Sequence, residues 1–73
     1  MDNYFIVEPG TFDDTAQVSG LDPYWLAGQM VEAETTDCQF VVFFTRNRWE
    51  SIRVSNAYHI PTVMRKIFER LRD

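Results

Sequence analysis

The stretch Cys38-Gln39-Phe40-Val41-Val42-Phe43-Phe44-Thr45 most constrains what this chain can become. A short, nearly unbroken run of Val and Phe suits a β-strand far better than a helix of that length. Alternation along a strand puts Phe40, Val42 and Phe44 on one face and Val41 and Phe43 on the other. Both faces are apolar, which describes a central strand that needs cover on two sides, or cover on one side and a partner on the other.

The flanking segments supply that cover. Asn3 to Glu8 reads as a first strand, stopped by the turn pair Pro9-Gly10. Thr11 to Gly20 reads as a loop with a short turn. Asp22-Pro23 is the clearest helix start in the chain: the carboxylate accepts from orphan N–H groups and proline needs no donor at the first helical position. Two continuations remain open. Leu26, Ala27, Met30, Val31 and Glu34 share a face at helical spacing, which predicts a helix to about Ala33. Alternatively, Gly28 closes a short helix and Met30 to Thr35 forms a strand.

After the central strand, Arg46-Asn47-Arg48 makes a turn in which Asn47 is suited to a positive φ, and Trp49 to Ser55 returns as the second arm of a hairpin. Pro61 opens a last helix over 61–72. Its Met64, Ile67, Phe68 and Leu71 recur at i, i+3, i+4 and i+7, the spacing of one buried stripe.

The fold class that follows is α+β: a single small two-layer domain over residues 1–73, with an antiparallel hairpin or three-stranded sheet and the C-terminal helix packed on it. The element order is β-α-β-β-α, or α-β-β-β-α if residues 30–35 are a strand. The helical stripe, with Ile60, is expected to meet Phe40, Val42, Phe44, Ile52 and Val54. A chain of 73 residues buries only about 60% of its unfolded surface, so a single core is the limit.

Charge is divided along the chain. Residues 1–45 carry eight acids and no Lys or Arg, whereas residues 46–73 carry all seven bases against three acids. Such asymmetry marks interaction proteins. If it also divides the surface, Asp13 and Asp14 belong to an acidic face that meets a basic patch on a partner.

The chain offers little for catalysis. His59 and Cys38 are its only histidine and cysteine, and no spacing of ligands points to a metal. Cys38 lies on the central strand, where apolar surroundings blunt a thiol. Three glycines leave no phosphate-cradling loop or nucleophile elbow. No enzyme activity, metal or cofactor is expected. No membrane span or signal peptide is legible, and the single cysteine fits a reducing cytoplasm.

Binding is the better reading. Phe43, Trp49 and Arg53, with Arg46 and Arg48 at the turn, are the candidate contact for a protein partner, since aromatics and Arg dominate interface hot spots. Whether Phe43 and Trp49 share a face depends on the turn register. The same Arg/Trp hairpin and the basic last helix could instead hold a nucleic acid. The α-β-β-β-α order is also the outline of double-stranded RNA-binding domains, although no basic run opens the last helix here, and the pI is near 4.7. In size and charge character, a compact acidic chain with a basic tail helix and no catalytic motif, the sequence resembles small phage-encoded proteins that bind a host machine, such as regulators of bacterial RNA polymerase. That resemblance implies inhibition by occupying a surface, without chemistry.

Overall fold

The structure, a computed structural model, describes residues 3–72; Asp2 and Asp73, counted among the acids above, lie outside them. The elements run β1 (Tyr4–Val7), α1 (Phe12–Ser19), α2 (Pro23–Thr35), β2 (Cys38–Thr45), β3 (Arg48–Ser55) and α3 (Ile60–Arg72). The strands form one antiparallel sheet in the order β1-β2-β3, so the apolar run is indeed its central strand. The domain is α+β, and of the two orders weighed it follows the first, with an additional helix.

That helix is α1, where the sequence reads as a loop. Thr11 organises its start: its hydroxyl accepts from the Glu8 N–H and donates to the Ile6 carbonyl. Asp13 and Asp14 stand in the first turn, where negative charge suits the helix dipole. The inward row is Phe12, Thr15, Ala16 and Ser19, which has helical spacing but is half hydroxyl. Thr15 is fully buried because its Oγ1 donates to the Thr11 carbonyl at 2.7 Å, and Ser19 likewise donates to Thr15. Gly20, at φ +71°, closes the helix by donating to the Ala16 carbonyl.

In α2, Asp22 caps as expected, its Oδ1 accepting from the Tyr24 N–H at 3.1 Å, and Pro23 follows. The helix runs through Gly28 to Thr35, so residues 30–35 are helical. Gly28 has ordinary helical geometry and nothing within 4 Å of where a Cβ would stand. Gly28→Ala is therefore expected to raise the unfolding free energy by about 0.5–1 kcal/mol, read as a higher urea midpoint at constant m.

The two-layer expectation gives way to three layers. Leu26 and Ala33 of α2 pack on Val7, Phe40 and Val42, with Phe12 and Ala16 of α1 alongside. On the opposite face, Ile60 and Met64 of α3 pack on Val41, Phe43 and Val54, joined by Ile52, Ile67, Phe68 and Leu71. The stripe of α3 thus meets Val41 and Phe43, not Phe40, Val42 and Phe44. The cause is one residue of turn. Thr45 pairs with Arg48, leaving a two-residue loop, Arg46-Asn47, where a three-residue turn was expected. Shortening the loop by one slips the register and turns every β3 side chain over relative to β2. Ile52 then stands opposite Val41, and Trp49 opposite Phe44. Within the loop it is Arg46, not Asn47, that takes the positive φ, at 57°.

Candidate binding site at the hairpin end

The face of the sheet under α1 and α2 is not covered to its end. Val7, Phe40 and Val42 are buried beneath the helices, but toward the β2–β3 turn Phe44 is 37% exposed and Phe5 and Trp49 are only half-buried. These three rings cluster. Phe44 and Trp49, cross-strand partners, lie 5.3 Å apart at 60°, and Phe5 of β1 lies 6.1 Å from Trp49. Tilted and edge-on arrangements of this kind are favourable for aromatic pairs. Trp25 of α2 stands edge-on to Phe40 at 5.6 Å and remains 43% exposed. The result is an aromatic cluster from all three strands at one end of the sheet.

The residues singled out from the sequence are dispersed around it. Trp49 is a member. Phe43 is not: it faces α3, is 7% exposed and meets Phe68 edge-on at 6.3 Å, so it belongs to the core. Phe43 and Trp49 lie on opposite faces because of the two-residue turn. Arg53 shares the Trp49 face but is turned to α2, its Nη2 donating to Gln29 Oε1 at 2.8 Å and Glu32 Oε2 at 3.1 Å. It ties β3 to α2, an exposed pair worth up to about 1 kcal/mol. Arg48 falls on the α3 face, where its Nε is 3.6 Å from Glu50 in a solvated pair, and Arg46 is exposed at the turn. The three arginines therefore do not ring one hydrophobic centre. Asp13 and Asp14 are exposed on α1, away from the hairpin in sequence and on a different element.

Sequence reasoning missed Phe5, Phe44 and Trp25. Phe44 was assigned to the packing beneath α3, and nothing in Phe5 or Trp25 distinguishes a covered ring from an open one. The signal that could have found the cluster is the turn length, since a two-residue loop places Trp49 opposite Phe44.

The charge division does become a division of layers. The layer of α1 and α2 carries Asp13, Asp14, Glu32 and Glu34, with Asp22 at the α2 cap and no base, whereas α3 carries Arg65, Lys66, Arg70 and Arg72 against Glu69. The sheet lies between them.

Other polar groups are structurally engaged. His59 sits at the start of α3, its Nδ1 2.9 Å from Thr62 Oγ1, and Cys38 is half-buried with Sγ 3.4 Å from the Thr36 carbonyl. Among the described residues no three His, Cys, Asp or Glu side chains are grouped to hold a metal ion, and no helix is long and apolar enough to cross a membrane. Neither the protein-family models, nor the curated proteins, nor the solved structures compared with this chain give a match.

Proposed function

We propose that this chain is a non-enzymatic, cytoplasmic protein-binding regulator that acts by occupying a surface on a larger machine, bacterial RNA polymerase being the machine its resemblance to small phage proteins suggests. The observation that carries this reading is the aromatic cluster Phe5, Phe44 and Trp49, left partly uncovered at the hairpin end of the sheet. Clustered, partly desolvated aromatics are among the side chains from which binding hot spots are built.

A second reading, a nucleic-acid-binding module, is favoured by one observation. The bases of α3 and the acids of α1 and α2 lie in opposite layers, which relieves the repulsion a polyanion would meet on an acidic chain. Capture on the immobilised full chain from a bacterial lysate, with and without nuclease, separates the two. A protein regulator retains its partner after nuclease treatment, and Phe44→Ala lowers the partner's affinity by about tenfold or more, equivalent to about 1.4 kcal/mol. Capture that disappears with nuclease and ignores Phe44→Ala would establish the nucleic-acid reading instead.

A further inference from the structure

Helix α2 carries no charged residue on two of its sides. Its inner side, Leu26, Met30 and Ala33, packs on the sheet core. Its outer side presents Tyr24, Gly28, Val31 and Thr35 at i, i+4, i+7 and i+11, all exposed, with Tyr24 at 89% and Val31 at 54%. A surface helix ordinarily turns charged residues outward, so an outer row with none is unusual. Gly28 in the middle of the row leaves a notch: nothing lies within 4 Å of its missing Cβ, and a neighbouring helix could approach the backbone closely between Tyr24 and Val31. Helical spacing places Glu32 on one flank of the row and Glu34 on the other, with Asp22 at its N-terminal end.

The charges select the occupant. Antiparallel pairing of α2 with a second copy about Gly28 would bring Glu34 of each chain to Asp22 of the other, like charge on like. Helix α3 of a second copy is basic, but its apolar stripe is already buried on its own sheet. Residues 1–45 contain no Lys or Arg, and Arg53 reaches across from β3 to Glu32 alone, so the uncompensated acids bordering the row are Glu34 and Asp22. We propose that the outer row of α2 is a docking face for a basic amphipathic helix of another protein, whose apolar side chains seat between Tyr24 and Val31 over Gly28 while its Lys or Arg residues meet Glu34 and Asp22. This is helix-on-helix recognition read through i, i+3, i+4 and i+7 anchors. It uses no residue of the hairpin cluster and constitutes a second surface.

The test uses the full chain, isotopically labelled, and a synthetic helical peptide of leucine and lysine with all leucines on one face. A leucine/glutamate peptide of the same pattern is the control. Expected are micromolar binding of the lysine peptide, amide shifts confined to residues 22–35, and no binding of the control. The Tyr24→Ser/Val31→Ser double variant changes no charge and is expected to bind at least tenfold more weakly; Glu34→Gln, which keeps the apolar row, is expected to bind severalfold more weakly. Unchanged affinity in the serine variant would overturn the proposal, because it would reduce the binding to unspecific charge attraction. So would shifts centred elsewhere, binding of the control peptide, or concentration-dependent self-association that the serine variant abolishes, the last assigning the face to a second copy.

Discussion

Leu26→Ala is expected to lower the unfolding free energy by about 2–5 kcal/mol, a large part of the about 5–15 kcal/mol available to a domain. Leu26 is fully buried and is the side chain through which α2 grips Val7, Phe40 and Val42. Truncation leaves a void between helix and sheet, where neither side is free to collapse: β2 is held on its far face by α3, and α2 is fixed by its Asp22 cap and by Arg53. Urea unfolding of both proteins measures the loss, and an unchanged midpoint would contradict the packing of α2 on this face.

Phe43→Ala is expected to have an equally large effect, about 3–5 kcal/mol, from the other side of the same strand. Its ring is buried beneath α3, edge-on to Phe68 and beside Val41, Val54 and Met64. Phe68 itself is only half-buried, so Phe68→Ala is the milder substitution of the pair. Were Phe43 an exposed interface anchor, its truncation would leave the denaturation curve almost unmoved and weaken binding alone. Thermal and urea unfolding of Phe43→Ala therefore discriminate between a core and a contact role.

Much of this fold is legible in the sequence because single residue types carry it. The Val/Phe run marks the central strand, Asp22-Pro23 marks the start of α2, and the stripe Met64, Ile67, Phe68, Leu71 marks the buried side of α3. What escapes is of two kinds. Helix α1 hides because Thr15 and Ser19 occupy its inward row, and their burial depends on hydroxyl bonds to carbonyls one turn back, which apolar periodicity does not register. The layer arrangement hides because it depends on one residue of loop. Counting Arg48 into the turn sends Ile52 and Val54 to the face of Phe40; placing it opposite Thr45 sends them to the face of Phe43.

The candidate site inherits that ambiguity. Trp49 is recognisable as the odd residue on a polar side of its strand, but its neighbours Phe44 and Phe5 emerge only once register is set. Their exposure depends on where α1 and α2 stop over the sheet, a length of cover that no local pattern specifies. Residues 26–34 illustrate the same limit on a helix. The spacing that groups Leu26 and Met30 also admits Val31, which the structure places outside, in line with Tyr24 and Gly28.

The proposed function separates two neighbours: Phe43, buried beneath α3, belongs to the fold, and Phe44, one residue on and on the opposite face, is the proposed contact for a partner. Retention of the nuclease-resistant partner by Phe44→Ala, measured with unfolding of the same preparation, tests it most directly. The predicted result is a roughly tenfold or greater loss of affinity with only about 1–2 kcal/mol of stability removed, as suits a ring more than a third exposed. Undiminished retention by a folded Phe44→Ala chain would contradict the account.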